Sequence, residues 1–329
     1  MKFLGNQAKY YIKSIIPTNA WDTIAQPMQR IRKRAYSERF EFNPQAAIRE
    51  EVYVIRRRPP GGGLFSNVNH VLQGIEYSLI HGLIPVVDME NYWTTYSQKR
   101  EFHGSNNAWN YFFDPVSEVD LKDLRSFQKV RYSRGDRINS DSILSERSLS
   151  FILNPEVVEV YGAMMNRYIR INAKTISIVN SVKDFIEWNP DTIGVSYRGT
   201  DYLQLEPKGH ARQPELMELN DALNEKVETS PHSMILVSTE DKGAKEILGE
   251  PFLHRVYKDF RDQDTLKQFI STKSNPSSQV LNALGYLIEV KLLSESRTLV
   301  CSIANGSAAA ILFNENRFES PIVINKGTY

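Results

Sequence analysis

Apolar residues along this chain recur with two periods. Glu51-Val52-Tyr53-Val54-Ile55 is an apolar run of strand length, Gly61-Gly62-Gly63 breaks it, and Asn67 to His81 carries Val68, Val71, Leu72, Ile75 and Leu79 at helical spacing. Leu83 to Val87 is a second apolar run, closed by Asp88. Strand, glycine loop, helix and strand in that order are the grammar of a parallel sheet. Residues 91–150 follow no clear period, and Pro155 to Glu187 reads as a long helical region closed by the turn Asn189-Pro190-Asp191.

The second half alternates more cleanly. Strands are expected at Ile193–Tyr197, Met234–Val237, Arg255–Tyr257, Thr298–Cys301 and Ile322–Ile324, with helices at Pro214–Val227, Lys242–Leu248, Val280–Ser294 and Ser307–Phe313. Short strands alternating with helices make a doubly wound α/β sheet, whose ligands bind at the carboxyl edge of the strands. A chain of 329 residues exceeds the usual size of a single core. The expected division is a basic leader over residues 1–45, an N-terminal α/β domain over 46–189 and a C-terminal α/β domain over 190–329.

Composition narrows the class. Hydrophobic residues make up 41% and charged residues 24%, enough for a packed core. Net charge is +1, but residues 1–40 hold eight Lys and Arg against Asp22 and Glu38. The rest of the chain is slightly acidic, so no general case for nucleic-acid binding arises. Two readings of the leader stay open: a docked segment with a solvated basic face, or a peripheral contact with anionic membrane at its inner face. The single cysteine, Cys301, excludes an internal disulfide framework and fits a cytoplasmic setting. The six histidines show no metal-binding spacing, and Asp262-Gln263-Asp264 lies in a charged run that reads as a solvated loop, so no metal is expected.

Candidate chemistry gathers at the strand ends. The first strand of the second half delivers Arg198, Thr200 and Asp201, the second Ser238, Glu240 and Asp241, and the fourth Ser302, Asn305 and Ser307. Arginine, hydroxyls and helix N-termini together form a phosphate-binding inventory, against which stands a plain N-capping role, favoured for Ser307 alone. The loop Gly61-Gly62-Gly63-Leu64-Phe65-Ser66-Asn67 lacks both the dinucleotide fingerprint and the P-loop lysine, which argues against NAD chemistry, ATP hydrolysis and P-loop sulfotransfer. The aromatic and amide-rich stretches Tyr92–Tyr96 and Asn106–Phe113 suit sugar stacking, with Trp93 and Trp109 as acceptor-side candidates and Phe112 and Phe113 read as core.

Arg198-Gly199-Thr200-Asp201, Ser238-Thr239-Glu240-Asp241 and Cys301-Ser302-Ile303-Ala304-Asn305-Gly306-Ser307, in that order, resemble the three peptide motifs of the α1,6-fucosyltransferase and protein O-fucosyltransferase superfamily, which includes bacterial nodulation fucosyltransferases. The resemblance covers most of residues 190–315, and more loosely the turn from Gly63 to Asn67. It implies a GT-B type α/β enzyme, two Rossmann-like doubly wound domains facing a cleft, transferring fucose from GDP-fucose to a glycan hydroxyl with inversion, without cofactor or metal, in surface polysaccharide synthesis. It implies further that Arg198 meets the donor pyrophosphate and that Glu206 is the candidate base; Asp201, on the same loop, is a catalytic candidate or fixes the loop by pairing with an arginine. Donor contacts would come from Gly63, Asn67, Thr200, Ser238, Glu240, Asp241, Ser302, Asn305 and Ser307. Gly199 replaces a second arginine of the pattern, and Ser196-Tyr197 stand where a histidine often opens the motif, so His210 or Arg212 is expected to supply a replacement cation. The alternatives are another nucleotide-sugar donor, or an inactive nucleotide- or glycan-binding module of the same fold.

Overall fold

The computed structural model describes residues 37–135, 138, 142–199, 201–252, 255–271 and 275–329. Residues 1–36 of the basic leader, with the membrane reading attached to them, and Thr200 lie outside the described residues, as do the side chains of Asp201 and Glu250.

The first half contains β1 (Arg39–Phe42), β2 (Ile48–Arg56), α1 (Leu64–His81), β3 (Ile84–Asp88), β4 (Phe127–Tyr132), α2 (Pro155–Tyr168) and α3 (Ala173–Ile186). Its sheet runs β1-β4-β2-β3, with β2 parallel to both β3 and β4 and only β1 antiparallel. The expected strand, loop, helix and strand are β2, α1 and β3. β1 and β4 are not legible as strands in the sequence, because all four β1 residues are exposed and β4 owes its conformation to pairing Val52 with Val130 and Tyr53 with Arg131 across the chain.

The long helical region divides. α2 ends at Tyr168, and Asn172 starts α3 by accepting the Thr175 N–H at 2.9 Å. Asn154 caps α2 in the same way, its Oδ1 accepting from Glu156 N–H at 3.0 Å ahead of Pro155 at the first helical position. Asn154→Ala should therefore lower unfolding free energy by about 1 kcal/mol, read as a shifted urea midpoint at unchanged slope.

The second half contains β5 (Thr192–Tyr197), the short α4 (Asp201–Leu205), α5 (Leu216–Thr229), β6 (Met234–Thr239), α6 (Lys242–Gly249), α7 (Gln263–Gln268), α8 (Ser278–Glu295), β7 (Thr298–Ser302), α9 (Asn305–Asn314) and β8 (Ile322–Ile324). Its strands run β6-β5-β7-β8, all parallel. The strand expected at Arg255–Tyr257 is a single parallel bridge from Val256 to Ile235 on the free side of β6. With it, the strand order is that of a doubly wound sheet, whose switch point lies between β5 and β7.

Alternation along the strands covers both faces. Ile193, Val195, Tyr197, Ile235, Val237 and Val300 pack on Leu219 and Leu223 of α5 and Leu248 of α6. Leu236, Leu299 and Cys301 instead join a core that contains α8 and α9. That second core also holds Tyr53 and Ile55 of β2, the buried stripe of α1 and the aromatic residues Trp109, Tyr111, Phe112 and Phe113, so it runs without a break between the halves. Among the described residues, no helix is long and apolar enough to cross a membrane.

Candidate functional site

Parallel pairing in register delivers three strand ends to one edge. Ser196 lies opposite Ser238 and Cys301, and Tyr197 opposite Thr239, so the residues that follow each strand emerge side by side. Arg198 N–H donates to Ser302 Oγ at 3.2 Å, joining the ends of β5 and β7 at the switch point. Its guanidinium donates to Glu240 Oε2 at 3.0 Å and lies 5.5 Å from the centre of the Tyr202 ring. Asp241 caps α6, accepting the Ala244 N–H at 3.1 Å.

Of the donor residues expected at the strand ends, Ser238, Ser302 and Ser307 are buried, and the Ser302 hydroxyl is taken by the Arg198 N–H. Ser238 donates to Glu289 Oε2 at 2.7 Å, and Ser307 lies 2.6 Å from the Ser302 carbonyl while accepting the Ala304 N–H at 2.9 Å. Both hydroxyls are spent on the protein itself and build the wall behind the site. Asn305 opens the first turn of α9 beside Phe65 and Val68 of α1, in a small crevice apart from the main cavity.

A cavity of about 740 Å³ separates the halves. Gly63, Leu64, Thr95 and Tyr96 line one side, and the other is formed by Thr239 to Lys242, Lys245, Asp259, Arg261, Gln279, Asn282, Ala283 and Tyr286. The first turns of α1, α6 and α8 all border it, and the α1 N-terminus has no side-chain cap. Helix N-termini carry partial positive charge that favours an anion; the α1 start also leaves N–H groups without a side-chain cap, whereas Asp241 caps α6 and Ser277 caps α8.

Cations surround the same space. Lys245 pairs with Asp259 at 2.7 Å, and Arg261 with Glu289 at 3.3 Å while resting over the Tyr286 ring. Glu289 is only 2% exposed, and burial raises its carboxyl pKa against the opposing pull of Arg261. Burial pushes the Tyr286 hydroxyl up to about 12, so it stays protonated as a donor at the cavity wall. Lys245, Asp259, Arg261, Gln279, Asn282 and Tyr286 are not anticipated from sequence, because they reach the cavity from α6, the segment after the Val256 bridge and the first half of α8, far apart along the chain. The one available signal is the polar first turn of α8.

The glycine loop approaches from the opposite wall. Gly61 has φ +71°, and a Cβ at Gly62 would come within 2.6 Å of Ser66 Oγ, so both positions need glycine. Gly63 borders the cavity with open space where a Cβ would be. Asn67, expected to bind donor, is instead fully buried: its amide donates to Gly62 O and Tyr96 OH, and its Oδ1 accepts from Arg57 at 2.9 Å. It holds the loop in shape. Arg57, which burial keeps below the usual guanidinium range, also binds Ser66, a role with no signal in the sequence.

Trp93 is 48% exposed, as an acceptor contact requires, whereas Trp109 is 1% exposed. Trp109 stacks on Phe113 with ring centres 4.5 Å apart and donates Nε1–H to Asp114 O at 3.0 Å, so it is a core residue and not an acceptor contact. Asn107 explains the difference. Its side chain bonds Val87 O, Met89 N and Trp109 N, tying the whole aromatic stretch down into the core.

Residues 209–213 run beside the C-terminal residues, with Arg212 N–H bonded to Gly327 O at 2.8 Å and Tyr329 N–H to His210 O at 3.1 Å. Arg212 is exposed and lies over the Tyr329 ring, while His210 Nδ1 is 3.2 Å from the Tyr202 hydroxyl. Neither belongs to the cavity lining. Glu206 is exposed at φ +39° just past α4, and its carboxylate has no partner among the described residues. Asp262 caps α7 through Asp264 N and Thr265 N, and Asp264 pairs with Lys267 on the surface. No group of three or more His, Cys, Asp or Glu able to hold a metal occurs among the described residues.

No protein-family model and no curated protein matches the chain. Among solved structures, the fold is similar to NodZ α1,6-fucosyltransferase soaked with GDP-fucose, at 13% identity and TM-score 0.47, over 80% of this chain and 93% of that one. It is similar also to a point mutant of Arabidopsis thaliana FUT1 in complex with GDP (13% identity, TM-score 0.46, covering 91% of this chain and 74% of that one). A third is POFUT1 in complex with GDP-fucose, at 9% identity and TM-score 0.45, covering 85% of this chain and 98% of that one.

Proposed function

We propose that the chain is an inverting glycosyltransferase that seats the diphosphate of a nucleotide sugar in the cleft and passes the sugar to a glycan hydroxyl. The observation that carries this reading is the convergence of three helix N-termini with Lys242, Lys245 and Arg261 on one cavity, with the Arg198–Glu240 pair at its edge. Such an array stabilises the negative charge that develops on a departing diphosphate, its cationic side chains supplying the positive counter-charge that a metal ion would otherwise provide. Arg198 leaves the end of β5 at the switch point, where ligands of doubly wound sheets bind. GDP-fucose is the donor we favour, on the resemblance of the Arg198, Ser238 and Cys301 segments to the fucosyltransferase motifs. Trp93, exposed beside Thr95 and Tyr96 of the cavity wall, suits the acceptor side.

Calorimetry and thermal shift with GDP, UDP, CDP and ADP, with EDTA present, test the reading. Selective GDP binding is expected, with stabilisation of about 2.7 kcal/mol at a hundredfold excess over Kd. Selective binding of another nucleotide moves the donor while keeping the reaction class. No binding by any of them overturns the reading.

A further inference from the structure

His210 is a histidine that the cavity does not use, placed where the two halves meet. Its Nδ1 lies 3.2 Å from the Tyr202 hydroxyl with the rings edge to face, and the Tyr202 ring is the one over which Arg198 rests. From the N-terminal half, the Arg147 side chain approaches within 4.0 Å of where a Gly209 Cβ would stand. Backbone bonds to Gly327 and Tyr329 hold the segment in place. Among the described residues, His210 Nε2 has no hydrogen-bond partner.

We propose that His210, standing outside the cavity lining and next to Tyr202 at its Arg198 edge, is the general base for an acceptor hydroxyl that approaches from that edge, with Nδ1–H donating to the Tyr202 oxygen and Nε2 left to take the acceptor proton. The assignment rests on the glycosyl-transfer reading above. In the step, the acceptor hydroxyl gives its proton to Nε2 and its oxygen forms the new bond to the anomeric carbon. The bond from that carbon to the diphosphate breaks, and its electron pair leaves on the diphosphate oxygen toward Arg198 and the helix N-termini. Glu206, earlier on the same segment, is exposed, and among the described residues no group bonds its carboxylate.

Among the described residues, the charged and titratable groups around His210 are Tyr202 from α4, Arg147 from the first half, Tyr329 from the C-terminal segment, and Glu206, Lys208 and Arg212 on its own segment. Burial, and after it the Arg147 cation, holds the imidazole below its usual range. The neutral ring is the active form. Activity is therefore kept at neutral pH and lost as pH falls through the lowered pKa, and removing the Arg147 charge must move that acidic limb to higher pH.

GDP calorimetry and pH-rate profiles of GDP-fucose transfer or hydrolysis test this together. His210→Gln should keep GDP affinity within about twofold and lose about 10²-fold in kcat. Tyr202→Phe should lose less, and Arg147→Gln should shift the acidic limb upward. Full turnover in His210→Gln, a larger loss in Glu206→Gln, or an unmoved limb in Arg147→Gln overturns the assignment. A wild-type chain that binds GDP yet turns over no GDP-sugar overturns it too, and leaves nucleotide binding standing. Absence of GDP binding removes the reading beneath it.

Discussion

Arg198→Ala is expected to lower kcat by about 10²–10³-fold with little change in folding stability. The loss in turnover follows from position: the residue stands at the switch point, its backbone is tied to Ser302, and its guanidinium reaches Glu240 at the cavity edge. A fixed cation aimed at the leaving group acts most strongly once charge has developed there, so the effect falls on kcat more than on nucleotide affinity. The small stability change follows from exposure. Glu240 is 52% exposed in that pair, and such pairs contribute about 0–1 kcal/mol. Arg198→Lys keeps the charge but loses the planar fork and should recover only part of the activity. Wild-type turnover in Arg198→Ala, at unchanged thermal midpoint, would remove the residue from the reaction.

Gly306→Ala is expected to damage both the fold and the cavity. A Cβ at Gly306 would lie 2.0 Å from the Tyr286 hydroxyl oxygen and 2.8 Å from Cζ, closer than any contact allows. Tyr286 cannot swing clear, because Phe65 packs edge to face against it at 5.2 Å and Arg261 covers its ring. Overpacking of this kind costs about 1–3 kcal/mol. Helix propensity pulls the other way, since alanine is favoured over glycine by about 1 kcal/mol in a helix, so a net loss isolates the contact. Displacing Tyr286 moves a cavity wall, and GDP affinity should fall by about tenfold or more. Denaturant melts and calorimetry on Gly306→Ala, Tyr286→Phe and the double variant check this. Because the hydroxyl is the nearest atom, the double variant should recover part of the loss. Additive losses would place the effect elsewhere.

Much of the site's frame is legible in the amino-acid sequence. The apolar run Ile193–Tyr197 is a strand because its neighbours in sequence make it one, and α1 and α8 show their stripes for the same reason. Once parallel strands alternate with helices, their carboxyl ends must share an edge, so Arg198, Glu240 and Ser302 can be assigned to one place. The direction each side chain takes is not legible in this way. Ser238 and Glu240 lie two apart on one strand end, yet Ser238 turns to the buried Glu289 and Glu240 to Arg198.

Trp93 and Trp109 sit in similar aromatic surroundings in sequence, and tertiary contacts separate them: the Asn107 bonds to Val87 and Met89, with the Phe113 stack and the Asp114 carbonyl, hold Trp109 in the core. β4 is a strand because β2 accepts it in register, and Lys245, Arg261 and Tyr286 share a cavity because α6, the end of the Val256 bridge and α8 converge. Sequence by itself determined the β2-α1-β3 unit, the alternation of strands and helices in the second half and the edge that carries the chemistry, since period and strand polarity depend on residues a few positions apart. Tertiary structure alone decided burial, hydrogen-bond partners and the cavity's membership, since each depends on contacts between segments that the chain brings together only on folding.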